Sequence, residues 1–300
     1  MKNGRILMLI GFLVVSFMCG AQDEYAFRVL ANKGTNEVKS GDTWQPLKTG
    51  AQLKIGDVLK ISENSSVGLV HKTGRPLEVK EAKTYKVAEL ADKVGKGSSV
   101  LNKYTDFILS SNSAEAKKNR LSATGAVHRG LENIKVFLPE SQFGDVFNPM
   151  VTINWESAKG GAPYVISLMN QFGDILWKTE TPETSVQFDM NSSELANENN
   201  ILVEVKSKAD NKSKSEQYTI KRLPSSANRY EVVKKQLEDA DLKEETAFNK
   251  YLLAGLFEEN RLFIDAISCY EQAIKMDPEN PTYKEAYEEF LLRNKLKAAK

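Results

Sequence analysis

The sequence predicts a multidomain chain, mainly β in its N-terminal two-thirds as a small β domain followed by a β-sandwich, and all-α at its C-terminal end. Three observations predict this. Short alternating apolar runs separated by turn residues fill 25–90 and again 134–223, which is the pattern of half-buried strands. From Ser225 onward apolar residues recur at helical spacing, with Gly255 the sole glycine and no proline between Pro224 and Pro278. A length of 300 residues also favours two or three cores over one.

Composition narrows the function classes. The 41 basic and 40 acidic residues leave a net charge of +1, without the excess of Lys and Arg that a nucleic-acid surface needs to neutralise phosphates. Two Cys and two His are too few for a Cys/His zinc site. No metal or other cofactor is therefore expected.

The first element, 1–21, reads as a signal peptide. Lys2 and Arg5 precede an apolar run over 6–18 that is shorter than the roughly 20 residues a bilayer span requires. The small residues Cys19, Gly20 and Ala21 place cleavage between Ala21 and Gln22. Losing Lys2 and Arg5 leaves 39 basic residues against 40 acidic, a charge of about −1, and Cys269 as the remaining thiol, so no intramolecular disulfide is expected. Cys19 has a second reading as a lipidated anchor, but bulky Met18 stands where such signals carry a small residue. The mature chain is expected to be exported, periplasmic or associated with the cell envelope, and not to span a membrane.

Over 22–90, the runs 27–30, 58–61, 67–70 and 77–79 read as strands, with turns at Gly34, Gly41, Gly50 and Gly74. The spacing of Pro46, Leu47, Gly50, Leu53, Gly56 and Asp57, followed by a strand and the Gly74 turn, resembles the extracytoplasmic FecR-like domain. Gly50 and Gly56 are expected to supply positive φ, and Asp57 to bond its own turn backbone. In that family the module follows a transmembrane helix and a cytoplasmic segment that controls a sigma factor. With only five residues before the apolar run, that signalling role is not expected to accompany the module.

Residues 91–133 read as a helical or extended linker. Val100, Leu101, Tyr104, Phe107 and Ile108 recur at helical spacing, and His128 reads as a loop residue. Over 134–223, seven apolar runs separated by polar turns fit a sandwich. The sequence around Trp155, Pro163, Tyr164, Gly173, Asp174 and Trp177 resembles bacterial fibronectin type III-like or Ig-like domains. Without a Cys pair, Trp155, Tyr164 and strand aliphatics are expected to make the core.

Over 224–300, Tyr230, Val233, Leu237 and Leu242 mark a first amphipathic helix. Leu253, Ala254, Phe257, Ala266, Tyr270, Ala273 and Pro278 then stand at offsets that resemble a tetratricopeptide (TPR) repeat over about 247–280, with Lys250 at the tryptophan position. Small residues at 254, 266 and 273 let two helices approach closely, and Phe257 and Tyr270 fill the space between them. Arrays need about three repeats to form an extended groove. A single repeat reads equally as a packing element or as a peptide receptor.

No G-x-S-x-G elbow, Walker loop, H-E-x-x-H helix or Rossmann glycine pattern occurs. The expected function is a non-enzymatic exported adaptor or scaffold that binds a protein or cell-envelope component through its β and TPR-like modules. The alternative is a FecR-style extracytoplasmic sensor acting through a membrane partner. A third class, glycan binding, rests on exposure of Trp44 or Trp177. Oligomeric state is left open by the sequence.

Overall fold

The computed structural model describes residues 25–94, 100–113, 115, 134–158, 160–210 and 212–297. The leader with Cys19, Ala21 and Gln22, and the segment holding His128, lie outside the described residues. The chain is β-rich first and helical at its C-terminal end, as the alternation and helical periodicities require.

The first eight strands are β1 Phe27–Lys33, β2 Glu37–Ser40, β3 Thr43–Pro46, β4 Gln52–Leu53, β5 Val58–Lys60, β6 Ser66–His71, β7 Pro76–Val79 and β8 Thr84–Lys86. They form two antiparallel four-stranded sheets, β4-β1-β6-β7 and β3-β2-β5-β8. Phe27, Val29, Leu53, Leu59, Val67 and Leu69 fill one core, which the short helix α1, Val87–Lys93, closes with Val87 and Leu90. A register shift between Val29 and Ala31 interrupts the period of two. It turns Leu30 and Ala31 outward into the helical core, joined there by Val70 of β6. The sheet carrying β1 and β6 is thus covered on both faces.

The second β unit comprises β9 Asp145–Val146, β10 Met150–Asn154, β11 Tyr164–Met169, β12 Ile175–Thr181, β13 Ser185–Asp189, β14 Asn200–Ser207 and β15 Tyr218–Arg222. A five-stranded sheet, β12-β11-β14-β15-β9, shares its core with the two-stranded sheet β10-β13. Trp155 and Tyr164 meet edge-on there, with ring centroids 5.5 Å apart. Among the described residues the run at 134–139 makes one bridge, Val136 to Trp155, rather than a full strand, and Pro139 has no N–H to extend it.

The helices are α2 Leu101–Ser111, α3 Asn228–Ala240, α4 Ala247–Glu259, α5 Phe263–Met276 and α6 Pro281–Arg293. The Thr246 hydroxyl accepts from Asn249 N–H at the start of α4, and the Asn280 side chain accepts from Thr282 N–H before Pro281 starts α6. Among the described residues no helix is long and apolar enough to cross a membrane.

Candidate functional site

The residues of the TPR-like pattern are brought together, and most of them are inside. Ala254, Ala266 and Ala273 are fully buried between α4 and α5, with Phe257 and Tyr270 beside them. Leu253 is half-buried and Pro278 is exposed in the connection after α5. The missing side-chain bulk at the alanines lets the helices close, and α6 covers the result. Tyr270 stacks on Tyr287 at 5.5 Å and meets Phe290 at 5.3 Å.

A buried bidentate pair fixes this bundle. Arg293 on α6 donates from Nε and Nη2 to the two carboxylate oxygens of Glu258 on α4, at 2.5 and 2.6 Å. Its Nη1 donates to Asn112 just past α2, at 3.1 Å. Such a pair organises three helices at once, and either partner alone would be an uncompensated buried charge.

The outer faces of α4 and α5 are occupied by the chain itself. Phe248 of α4 lies against Gly68 of β6, where an added Cβ would stand 2.4 Å from the ring. Gly255 likewise admits Ile108 of α2, whose Cδ1 would be 2.6 Å from an added Cβ. On α5, the Ser268 hydroxyl accepts from Thr152 N–H at 2.9 Å, satisfying a donor of β10. The Asn154 amide donates to Glu271 of α5 and to the Tyr287 hydroxyl, both at 2.8 Å. Asp265, near the start of α5, accepts from the backbone N–H groups of Phe147 and Asn148 and from the Asn148 amide. Burial raises the Asp265 carboxyl to about 6 against the opposing pull of these donors. Burial also pushes the Cys269 thiol upward, so it is an inert core group.

The FecR-like turn residues serve the first β core. Gly50 has φ +88°, and its N–H donates to Val29 at 2.7 Å. Leu53 is fully buried opposite Phe27. Gly56 differs from expectation. It is not among the positive-φ glycines, and open space surrounds the position of its missing Cβ. Asp57 does bond its turn: one carboxylate oxygen accepts from Lys54 N–H and the other from the Ser40 hydroxyl, both at 2.7 Å. This carboxylate ties the β2–β3 hairpin to the β4–β5 turn. Those two tied segments carry Trp44, 40% exposed with the Lys60 ammonium 5.7 Å from its ring centroid, and Ile55, 54% exposed.

Elsewhere, an open cleft of about 560 Å³ runs between the sandwich and α3 past Phe147, Asn148, Met190 and Tyr230. Arg222 in its wall is spent on the carbonyls of Met190, Leu195 and Glu198 and on Asn191. His71 faces Thr73 at 2.8 Å and Phe27, and burial lowers its pKa. Trp177 is half-buried near Phe188. Among the described residues no group of three His, Cys, Asp or Glu is placed to hold a metal ion.

No protein-family model and no curated protein matches the chain. The sequence reading did not single out Asp265, Glu258, Arg293, Asn154 or Ser268. Their signal is weak but physical: Asp265 and Ser268 interrupt the otherwise apolar phase of 263–270, and a polar residue on a buried face needs a partner.

Proposed function

We propose that this chain is a non-enzymatic exported scaffold whose helical region holds two β units in a fixed relation and whose partner docks on the first of them. The partner is a protein or a cell-envelope component. The observation that carries this reading is the use of the TPR-like helices within the chain: Phe248 is committed to the first β unit and Ser268 and Asp265 to the second. A helix pair so occupied acts as a bracket rather than as a peptide groove. Among the exposed large apolar side chains, which include Phe172 and Ile175 on the second β unit, Trp44 and Ile55 are the two held on segments that Asp57 ties together. An exposed aromatic on a braced turn is the kind of anchor that carries binding energy at interfaces.

The test is affinity capture from envelope fractions with the wild-type chain and with Trp44→Ala and Ile55→Ser. The reading expects one envelope component to be retained by the wild type and lost by about tenfold or more with Trp44→Ala, the size of a modest interface hot spot. Equal retention by both variants overturns the docking site. Retention of an inner-membrane regulator by the wild type overturns the scaffold in favour of a sensor.

A further inference from the structure

Among the described residues the five-stranded sheet ends on β12, which pairs with β11 alone. Its backbone phase follows from the neighbouring ladder. Lys208 N–H donates to Pro163 carbonyl at 2.8 Å, and in an antiparallel pair the residues that exchange hydrogen bonds alternate with those that do not. Continuing the β11–β14 register turns the backbones of Val165 and Ser167 toward β14, and those of Tyr164, Ile166 and Leu168 toward β12. Opposite them stand Thr181, Thr179 and Trp177. The N–H and C=O groups of Lys178 and Glu180 therefore point out of the sheet edge. Pro182 has no N–H to offer and marks the end of the row.

We propose that β12 binds β12 of a second copy of this chain, antiparallel about a two-fold axis at Thr179, joining two five-stranded sheets edge to edge. The phase permits only registers that place outward-pointing residues opposite one another, since a one-residue slip would put bonded backbone against free backbone. Three symmetric registers remain near the strand centre. One sets Lys178 against Lys178 and another sets Glu180 against Glu180, and like charges directly opposite destabilise a pair. The third sets Lys178 against Glu180 twice, with Thr179 facing Thr179 on the axis. Lys178 has no ion-pair partner among the described residues, and Glu180 already lies 2.8 Å from Lys208 on the same face. The side chains of Lys178 and Glu180 are exposed, so Lys178 of the second copy would join the ion pair that Glu180 already makes with Lys208. An edge carrying Lys ordinarily guards against pairing. Here the Glu two residues on makes the edge complementary to itself.

The experiment is sedimentation of the chain across a concentration series, with charge variants and cysteine cross-linking. The wild type is expected to dimerise reversibly. Lys178→Glu and Glu180→Lys each replace two attractive pairs by two repulsive ones and are expected to weaken dimerisation about tenfold or more, whereas Lys178→Glu/Glu180→Lys restores it. In a Cys19→Ser background, Thr179→Cys is expected to give a disulfide-linked dimer under mild oxidation. Opposed residues of a non-hydrogen-bonded pair have Cα atoms about 4.5 Å apart, within the range a disulfide accepts. Lys178→Cys is expected not to cross-link. A monomer at every concentration overturns the proposal. So does a dimer indifferent to the charge variants, or one cross-linked through Lys178→Cys rather than Thr179→Cys. A different protein bound at the β12 edge of a monomeric chain likewise assigns another occupant and overturns it.

Discussion

At the scale of the residue, Asp265 is the group whose chemistry depends most on where the fold puts it. Its carboxyl titrates at about 6 in the folded chain because burial disfavours the charge more than its three N–H donors restore it. In an unfolded chain an Asp titrates near 3.9. Between those values the folded state holds the extra proton, so the contribution of Asp265 to stability is greatest below about 4 and is lost as pH rises through about 6. Urea unfolding of the wild type and Asp265→Asn at pH 4, 5, 6 and 7 should show the stability difference falling by about 1–3 kcal/mol across that window and flat beyond it. A constant difference would place the proton elsewhere. Residue identities of this kind were poorly legible in the sequence. Ala254, Ala266, Ala273, Phe257 and Tyr270 stood at offsets that announced a helix pair, whereas nothing local told Asp265 that it would face the β9–β10 turn.

At the scale of the element, periodicity carried most of the information. The strands β1, β5, β6 and β7 and the helices α3, α4 and α5 all lie where alternation or helical spacing put them. Short elements escaped. The hairpin β2–β3 is largely polar and exposed, and β4 and β9 are each two residues long, so neither has an alternation to read. The segment 91–133, read as helical or extended, contains α2, and the Gly255–Ile108 approach shows why α2 is tightly docked. Gly255→Ala should destabilise the chain by about 1–3 kcal/mol through overpacking. Ile108→Ala removes both atoms that the new methyl would meet, so the double variant should lose clearly less than the sum of the two single losses. Thermal or urea unfolding of the four proteins in the cycle measures the coupling; strict additivity would mean that the two helices separate freely.

At the scale of the whole molecule, three cores meet through shared elements. β1 and β6 feed both the first β core and the helical core, and Ile264 of α5 enters the sandwich core. Units joined this way should unfold together. Tryptophan fluorescence, reporting on Trp44, Trp155 and Trp177, and helical circular dichroism should give coincident urea transitions in the wild type. Phe248→Ala empties the contact over Gly68 and should lower stability by about 3–5 kcal/mol, with the two transitions moving apart. Coincident curves in this variant would show that the joint does not depend on that ring. The sequence marked the three composition regimes but not their fusion, because a contact such as Gly68 with Phe248 is written in two residues that each look ordinary alone.

The docking of Ile108 against Gly255 also orders events in time. As the chain emerges from its N-terminus, the first β unit and α2 come out while the helices that cover Leu30, Val70 and Ile108 are still unmade. Those apolar faces wait through the synthesis of the entire second β unit. Pairings so distant along the chain close late and slowly, and waiting surfaces of this kind are where aggregation starts. A chain truncated before α4 would expose them permanently, so the last helices act as the seal that ends a vulnerable interval.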